Sequence, residues 1–473
     1  MVDQLVSIDP STGAEVWRGA MASATECDQA MRAARGAFAA WSSREPAERI
    51  ALAQRFAATV TARRGELAAT ISAEVGKPPW EAAAEADLVA AKVAISVEAL
   101  ETRRSTFQAG PAVTRFRAHG VCVVLGPYNY PAHLPNGHIV PALIAGNCVV
   151  FKPSEHAPAI GEFMLRAWRD AGLPEGVLHV VQGDRRVAEH LLDHPEVDGV
   201  FLTGSARAGL AIHSRFAGRP QVILALELGG NNPLIVHNVA DPLAAAYLTT
   251  LSAYLTAGQR CTCARRLIVP QGVDGDRFID ELVAMVRRIR VGPPSASPEP
   301  FMGPVVSADV AHAIVAGQAE LVANGGRPLV EATVLEPDTG LLSPGLIDVT
   351  DVAERRDEEI FGPLLQLIRT PDVDAAIREA TRTAYGLAAG LLSDDEALYR
   401  RFATQVRAGV VNWNQELVGA SSRAPFGGIG LSGNHRPSAL FAADYCSFPV
   451  ASIERPAATL PDNPRADLLP HPQ

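Results

Sequence analysis

Short apolar, β-branched runs that alternate with helical stretches constrain the fold of this chain more than any other feature. In the first half of the chain the runs occupy residues 121–125, 148–151, 177–182 and 199–202, and helical spacing fills the intervals. Continuous apolar runs are typical of parallel strands buried on both faces, which need crossover connections. The pattern therefore predicts βαβ units and an α/β fold built on a doubly wound parallel sheet.

A second alternating region runs from about residue 227 to residue 408. Its predicted strands occupy residues 233–236, 266–269, 364–367 and 409–412. This region therefore predicts a second doubly wound parallel sheet.

Two stretches fit neither sheet. Residues 105–118 alternate around a Gly-Pro pair, which predicts a protruding hairpin, and residues 445–453 predict a late strand. The tail, residues 456–473, contains five prolines, and we expect it to wrap a surface or hang loose.

Composition excludes several classes of protein. The formal net charge of −10 argues against nucleic acid as a partner, and 48% hydrophobic with 20% charged residues is ordinary for a folded enzyme. No run approaches the roughly 18 apolar residues of a membrane-spanning helix, and the first residues lack the features of a signal peptide. Six scattered cysteines do not suggest a disulfide framework. We expect a soluble, cytoplasmic chain without a membrane or nucleic-acid partner.

A Gly-Gln-Arg-Cys-Thr-Cys segment, which begins at Gly258, contains the first candidate for a catalytic side chain. Cys261 is a nucleophile only as a thiolate. Arg260, Arg265 and Arg266 could supply the positive charge that lowers its pKa. A buried apolar role is the more frequent one for a cysteine, and zinc is a weaker alternative because this Cys-x-Cys pair has no second ligand cluster.

The residues around two further side chains indicate catalytic roles for them. Glu227 stands between two leucines, ahead of a glycine pair that permits close backbone approach. Partial desolvation there would raise its pKa toward that of a general base, although a salt bridge is the commoner role. Asn129 is held between two prolines after an apolar run, so its side-chain N–H could bind an oxyanion, although a turn asparagine is more frequent.

Two segments at the ends of predicted strands suit a nucleotide. Lys152 and Glu155 follow the second predicted strand. Residues 203–209 follow the fourth and open a helix, whose first N–H groups would suit a pyrophosphate. The segment 203–209 matches neither the G-x-G-x-x-G fingerprint nor a P-loop, so by itself it is a weak signal.

In this order and spacing, these five segments together resemble the NAD(P)-dependent aldehyde dehydrogenase superfamily. The segments Glu-Ile-Phe-Gly-Pro at 359–363 and Pro-Phe-Gly-Gly-Ile-Gly at 425–430 add to the resemblance, which covers about residues 9–453. It includes the 34-residue separation of Glu227 and Cys261. Further motifs, with Asn231 where most members have lysine, resemble the branch that oxidises N-succinylglutamate 5-semialdehyde in arginine catabolism by succinyl transfer.

The resemblance implies a role for each catalytic side chain. Cys261 would add to the aldehyde, Asn129 and the Cys261 backbone N–H would hold the oxyanion, and Glu227 would activate the hydrolytic water. NAD is the implied cofactor, and we expect no metal. The residues implied to bind the cofactor are Lys152, Ser154, Glu155, Gly204, Ser205, Ala206, Arg207, Ala208, Gly209, Glu359 and Phe361. Because the Glu155 carboxylate would repel a ribose 2′-phosphate, we expect NAD rather than NADP.

A substrate of that branch carries two carboxylates, so its pocket should contain cations and hydrogen-bond donors. The candidates near the matched segments are His133, Arg260, Arg423, His435 and Arg436. Each is equally suited to a structural salt bridge.

The resemblance also implies an architecture of two parallel-sheet domains and a small β domain. Its limits are 1–102 and 120–226 for the NAD-binding domain, 227–408 for the catalytic domain, 409–442 for a return to the cofactor domain, 103–119 and 443–455 for the oligomerisation domain, and 456–473 for the tail. The small domain would add strands to a neighbouring subunit, which predicts a homodimer or a dimer of dimers. A hairpin that covers surface in a monomer is the alternative.

Other functions stay open at this point. The chain could oxidise another semialdehyde or an aliphatic aldehyde, or it could be a non-redox cysteine thioesterase or esterase. A thioesterase does not explain Lys152, Glu155, residues 204–209 or Glu359. An inactive homologue is disfavoured because every matched catalytic position has a competent side chain.

Overall fold

The chain, as a computed structural model, is described over residues 3–470. Its strands are β1 (Gln4–Ile8), β2 (Glu15–Ala20), β3 (Phe107–Ala109), β4 (Ala112–Ala118), β5 (Val121–Leu125), β6 (Cys148–Lys152), β7 (Leu178–Val180), β8 (Gly199–Gly204), β9 (Ile223–Leu228), β10 (Asn232–Val236), β11 (Ala264–Pro270), β12 (Arg327–Val330), β13 (Gly345–Asp348), β14 (Leu364–Thr370), β15 (Ala388–Leu392), β16 (Val410–Trp413), β17 (Pro425–Phe426), β18 (Ser438–Ala439) and β19 (Ser447–Ile453). Its helices are α1 (Ala24–Ser42), α2 (Pro46–Ala62), α3 (Arg64–Val75), α4 (Pro79–Arg103), α5 (His133–Ala145), α6 (Pro158–Asp170), α7 (Arg185–Asp193), α8 (Ala206–Arg215), α9 (Pro242–Tyr254), α10 (Val273–Val286), α11 (Ala308–Ala323), α12 (Val373–Ala380), α13 (Glu396–Gln405) and α14 (Ala442–Tyr445). Residues 1–2 and 471–473, which belong to the predicted NAD-binding domain and tail, lie outside the described residues.

Five strands form a parallel sheet in the order β7-β6-β5-β8-β9. β5 and β6 are buried along their whole length, as their continuous apolar sequences predict. From β5 the chain extends the sheet through β6 and β7, and it then returns to add β8 and β9 on the other side. Sheets of this kind bind ligands outside the carboxyl ends of the strands where the order reverses, which here is between β5 and β8.

Seven strands form a second sheet in the order β12-β13-β14-β11-β10-β15-β16. β12 runs antiparallel to β13, whereas the other neighbours are parallel. The antiparallel edge departs from the wholly parallel sheet that the sequence predicts. β12 contains Pro328, which cannot donate to a ladder and is tolerated at an edge.

Two predicted domain limits are displaced in the structure. Glu227 lies in β9, so the five-stranded sheet extends past residue 226. β16 pairs with β15 in the seven-stranded sheet, so residues 410–413 do not return to the cofactor domain as predicted. The return comes later, where Gly433 forms an antiparallel bridge with Glu227. A Cβ at Gly433 would lie 2.0 Å from the Leu226 carbonyl oxygen, so this approach requires glycine.

α4 has 25 residues and carries unusual charges on its buried face. It begins with a proline at its first position, where the missing N–H costs nothing. Glu81, Glu85 and Lys92 are all buried on this helix. Because charged side chains are almost never fully buried unless they are paired, their partners matter for the candidate site.

The predicted hairpin and late strand form an antiparallel sheet in the order β19-β4-β3. Phe107 and Ile453 on this sheet are exposed. Over residues 456–470 the tail contains one short 3-10 turn, Ala466–Leu468. Within residues 3–470, none of the helices combines the length and the apolar character needed to cross a membrane.

Candidate active site

Asn129, Glu227 and Cys261 come from three separate segments that the fold brings together. Asn129 follows β5, Glu227 lies near the end of β9, and Cys261 precedes β11. Asn129 Nδ2 donates a hydrogen bond to the Gln259 carbonyl oxygen at 2.9 Å. The Glu227 carboxyl and the Cys261 thiol are close enough that each shifts the pKa of the other. The three side chains therefore form one cluster.

The cysteine loop is held in an unusual backbone conformation. A 3-10 turn, Leu255–Gly258, contains Thr256 and Ala257 with φ of 56° and 51°, in the left-handed region. Gly258 also has a positive φ, and a Cβ there would lie 2.2 Å from the Gly362 carbonyl oxygen. Non-glycine residues adopt such angles at a cost and cluster at functional sites. The strained turn delivers Cys261 to its position.

Asn232 fixes the other side of the same loop. Its Nδ2 donates to the carbonyl oxygens of Cys261 at 2.7 Å and of Cys263 at 2.9 Å. Its Oδ1 accepts from the backbone N–H of Ala388 at 3.0 Å. This buried asparagine therefore ties the cysteine loop to β10 and β15, and the sequence reasoning assigned it no role.

Glu227 is a buried carboxylate beside the Cys261 thiol. It is 1% exposed, and neither carboxylate oxygen has a hydrogen-bond partner among the described residues. Burial, with a smaller contribution from the nearby Glu359, raises the pKa of Glu227 to about 8, although the Cys261 thiol acts in the opposite direction. A carboxylate with a pKa near 8 is a competent general base at neutral to alkaline pH. The expected desolvation of Glu227 is confirmed.

The expectation that three arginines lower the pKa of Cys261 is wrong. Burial and the neighbouring carboxylates of Glu227 and Glu359 hold the pKa of the Cys261 thiol well above its ordinary value, and of the three arginines only Arg265 acts in the opposite direction. Arg260 and Arg266 are instead bound to other groups, because a buried guanidinium needs hydrogen-bond partners of its own. The structure therefore holds Cys261 as a thiol, with Glu227 as the adjacent proton acceptor.

The partners of the three arginines are backbone carbonyls and acids. Arg260 binds Glu81 at 3.0 Å, and Arg265 donates to the Gly258 carbonyl oxygen at 2.6 Å and to Glu359 at 3.1 Å. Arg266 donates to the carbonyl oxygens of Asn231, Glu379 and Ala380. All three stabilise the loops around the cysteine.

Lys152, Ser154 and Glu155 lie at and just beyond the carboxyl end of β6. Lys152 is buried, and its Nζ donates to the carbonyl oxygens of Pro153 at 2.9 Å and Gly183 at 2.7 Å. It lies 3.7 Å from the exposed Glu155 carboxylate. Ser154 Oγ accepts from the N–H of His156 at 3.3 Å. The three residues therefore sit beside the point where the strand order reverses.

Residues 204–209 cross from β8 into α8. Ser205 caps the helix by accepting from the N–H of Ala208 at 3.2 Å. Arg207 is exposed, and a Cβ at Gly209 would lie 2.5 Å from Leu228 Cδ1, so glycine lets the helix pack closely on β9. The first turn of α8 therefore presents its N–H groups at the crevice where a phosphate would be bound.

Glu359 and Phe361 face the cluster from the second sheet's side. Glu359 packs so closely on Gly229 that a Cβ there would lie 1.8 Å from Glu359 Oε2. The close backbone approach expected at the glycine pair is confirmed, and it involves no positive φ at either glycine. Phe361 makes an edge contact with Tyr128 at 6.1 Å between ring centroids. Tyr128, Glu359 and Phe361 line a cleft of about 870 Å³.

The family model described as "Aldehyde dehydrogenase family" matches residues 2–447 of this chain. The chain belongs to the aldehyde dehydrogenase family. A structure of aldehyde dehydrogenase C from Pseudomonas syringae, a mutant in complex with NAD+ and octanal, is similar with a TM-score of 0.91 and 30% sequence identity. The similarity covers 97% of this chain and 95% of that one. The predicted fold class is confirmed.

Two relatives are similar along nearly their whole length. N-succinylglutamate 5-semialdehyde dehydrogenase 1 of Caulobacter vibrioides is 56% identical over 458 residues, which cover 96% of this chain and 97% of the relative. N-succinylglutamate 5-semialdehyde dehydrogenase of Ectopseudomonas mendocina is 54% identical over 462 residues, which cover 97% of this chain and 95% of the relative.

The five candidates for binding substrate carboxylates in this aldehyde dehydrogenase lie in different surroundings. Burial holds the pKa of His133 well below its ordinary value, so its ring is uncharged, and the charge of Arg260 is taken by Glu81. Arg423 is exposed and bound to Glu98. His435 is exposed, and Arg436 donates to the Gly428 carbonyl oxygen at 2.8 Å while remaining near enough to Glu227 to lower its pKa.

The sequence reasoning missed Glu81, Glu85 and Lys92 of α4. Glu81 is bound by Thr256 and Arg260 of the cysteine loop. Glu85 accepts from the backbone N–H of Ala132 at 3.0 Å, in the loop that contains Asn129. The available signal was the spacing of these acids, four residues apart on an otherwise alanine-rich helix.

Proposed function

We propose that this aldehyde dehydrogenase oxidises N-succinyl-L-glutamate 5-semialdehyde to N-succinyl-L-glutamate with NAD, in arginine catabolism by succinyl transfer. The observation that carries the chemistry is the pairing of an unpartnered buried carboxylate, Glu227, with the thiol of Cys261. The observation that carries the substrate is the identity of 54–56% with two relatives named for that activity.

The first step is addition of sulfur to the aldehyde carbon. Cys261 passes its proton to Glu227, and the thiolate attacks to give a thiohemiacetal whose oxygen is negative. Asn129 Nδ2 donates one N–H to Gln259 and keeps a second for this oxyanion, together with the backbone N–H of Cys261. One such donor contributes about 2.7–4 kcal/mol of transition-state stabilisation.

NAD, when bound, would supply the hydride acceptor that the oxidation step requires, and Cys261 would then hold the acyl group as a thioester. The first turn of α8 and the side chains at the end of β6 suit the cofactor, since they flank the reversal of strand order. Glu359 and Phe361 line the cleft beside the cluster, where they would hold the nicotinamide riboside. Glu155 favours NAD over NADP, because its carboxylate repels a 2′-phosphate.

Glu227 completes the cycle. It first releases to solvent the proton that it took from Cys261. As a carboxylate it then removes a proton from water, the resulting hydroxide attacks the thioester carbonyl, and the acid leaves as the proton on Glu227 passes to the Cys261 thiolate and restores the thiol. The raised pKa of Glu227 suits both of its proton transfers, from the thiol and from water.

A substrate panel tests the proposal. NADH absorbance is followed with N-succinylglutamate 5-semialdehyde, free glutamate 5-semialdehyde and butanal, with NAD and then with NADP. We expect the highest kcat/KM with the succinylated substrate and NAD. Equal kcat/KM across the aldehydes would reject the substrate while keeping the dehydrogenase, and thioester hydrolysis without NADH from any aldehyde would reject both.

We further propose a homodimer or a dimer of dimers in the cytoplasm. The β19-β4-β3 sheet has free strand edges at β3 and β19 within the described residues, and an exposed Phe107 and Ile453, features that favour pairing with a second copy. Mass photometry tests the assembly: a monomer at micromolar concentration would contradict it.

A further inference from the structure

Lysine is scarce in this chain, and its three copies are all buried. Lys77, Lys92 and Lys152 are the only lysines in the sequence, against 39 arginines. Lys77 is bound by Glu85 at 2.6 Å, and Lys152 by two carbonyl oxygens and Glu155. Lys92 differs from both, because its ammonium has no carboxylate partner among the described residues.

The surroundings of Lys92 leave most of its charge uncompensated. Lys92 is 2% exposed, and the one hydrogen bond that its Nζ makes with described residues goes to Ser422 Oγ at 3.2 Å. Burial lowers the pKa of Lys92 to about 8, with no acidic group acting in the opposite direction. An ammonium has three donors, and a buried one is costly unless it is paired. Two donors of Lys92 therefore have no acceptor among the described residues.

A second polar atom beside Lys92 also lacks a partner. Lys92 is close enough to His133 to lower the pKa of that imidazole, and His133 Nδ1 is buried with no hydrogen-bond partner among the described residues. His133 opens α5, directly after the loop that contains Asn129. The unsatisfied groups of Lys92 and His133 thus lie together at the contact between α4 and α5.

The position of Lys92 on α4 relates it to the catalytic loops. Glu81 on the same buried face contacts Arg260, the residue before Cys261, and Glu85 binds the backbone that follows Asn129. Lys92 lies three turns beyond Glu81, about 16 Å along the helix axis. Its Nζ meets Ser422 in the loop between β16 and β17. Lys92 therefore shares the buried face of α4 with the two acids that hold the catalytic loops, and it contacts the loop between β16 and β17.

We propose that Lys92 binds a carboxylate of the substrate, with Ser422 beside it, and so determines the preference for an anionic semialdehyde. The assignment rests on the proposed function, since it takes the N-succinylglutamate semialdehyde as the anion. Two of the cations considered from the sequence, Arg260 and Arg423, are already bound by Glu81 and Glu98. Loss of a charge-assisted contact of this kind weakens binding by about 10- to 100-fold.

A purely structural role for Lys92 makes a different prediction. If Lys92 served only to anchor the 414–424 loop through Ser422, its replacement would lower the melting temperature and would impair every aldehyde alike. A carboxylate ligand instead leaves the protein at least as stable without it, because removal of an unpaired buried charge relieves its desolvation cost.

The test is Lys92→Met, which keeps the length of the side chain and removes its charge. We expect KM for N-succinylglutamate 5-semialdehyde to rise about 10- to 100-fold, at least tenfold more than KM for butanal, with an unchanged or higher melting temperature. Lys92→Arg should recover part of the preference. Calorimetric titration with the product, N-succinyl-L-glutamate, should show the same loss of affinity in the absence of turnover.

Arg423→Met is the matched comparison, because it removes an exposed cation next to Ser422. A larger rise in KM with Arg423→Met than with Lys92→Met would overturn the assignment. Equal effects of Lys92→Met on both aldehydes, or a fall in melting temperature with unchanged product affinity, would also overturn it. Failure of the proposed function itself is seen separately, as a wild-type enzyme that does not prefer the succinylated substrate.

Discussion

Two buried carboxylates, one beneath the catalytic loops and one between them, have opposite surroundings. Glu85 is 0% exposed, and it receives Lys77 at 2.6 Å and the backbone N–H groups of Ala132 and His133 at 3.0 and 3.1 Å. Glu227 is 1% exposed and receives no hydrogen bond from the described residues. The two carboxylates are equally buried, but Glu85 is a hydrogen-bonded anion whereas Glu227 is a proton acceptor.

The difference teaches that desolvation alone does not make a base. Glu85 is ringed by donors that stabilise its charge, so it orients a loop. Glu227 is buried beside a thiol and another carboxylate, so its charged form is disfavoured and its pKa rises to about 8. An unsatisfied buried group lowers stability, and proteins retain such groups where they serve reactivity.

The largest expected effect on activity comes from removal of the nucleophile, Cys261. Cys261→Ala should lower kcat for aldehyde oxidation by at least about 10⁴-fold, because no covalent intermediate can form. NADH formation checks it, with NAD binding by calorimetry as the control for an intact cofactor site. Oxidation within tenfold of the wild-type rate would show that another group attacks the aldehyde.

Removal of the unpartnered acid should slow release of the product more than the redox step. Glu227→Gln is expected to lower steady-state kcat by about 10²- to 10⁴-fold. Stopped-flow absorbance at high pH, where the thiol ionises unaided, should still show a burst of NADH in the first turnover. Loss of the burst together with the steady-state rate would assign Glu227 to the attack step alone.

Replacement of each carboxylate by an amide should change the free energy of unfolding in opposite directions. Glu85→Gln leaves Lys77 buried without a counter-ion and should cost about 3–5 kcal/mol of unfolding free energy. Glu227→Gln should be neutral or stabilising. The folded pKa of Glu227, about 8, exceeds its ordinary value of 4.5, so its contribution to stability falls as pH rises between these values. Denaturant titrations at about pH 6 and 9 check both: the advantage of Glu227→Gln should be larger at the higher pH.

The smallest expected effect is the pH dependence of the wild-type enzyme. Because Glu227 acts as a carboxylate, kcat should rise with pH and level off above an apparent pKa of about 8. The Cys261 thiol titrates in contact with Glu227, so the apparent value belongs to the pair. A profile that is flat between about pH 6 and 9 would place the rate-limiting step outside the pair.

The sequence predicted the two main sheets because continuous apolar runs and helical spacing are local signals. It identified Cys261, Glu227 and Asn129 through motif resemblance, and the desolvation of Glu227 through its leucine neighbours. It erred on the arginines near Cys261, because adjacency in sequence does not say which way a side chain points. The partners of Arg260 and Lys92 come from α4 and from a loop beyond residue 413, contacts that no local pattern encodes.

Mass spectrometry of the intact protein tests the central claim most directly. Glu227→Gln is mixed with NAD and N-succinylglutamate 5-semialdehyde, quenched in acid within the first turnovers, and digested to locate the modification. The pairing of a nucleophilic Cys261 with a hydrolytic Glu227 predicts an N-succinylglutamyl thioester on Cys261 that accumulates to a large fraction of the enzyme. An unmodified Cys261 while NADH is formed, or an acyl group on a different residue, would contradict it.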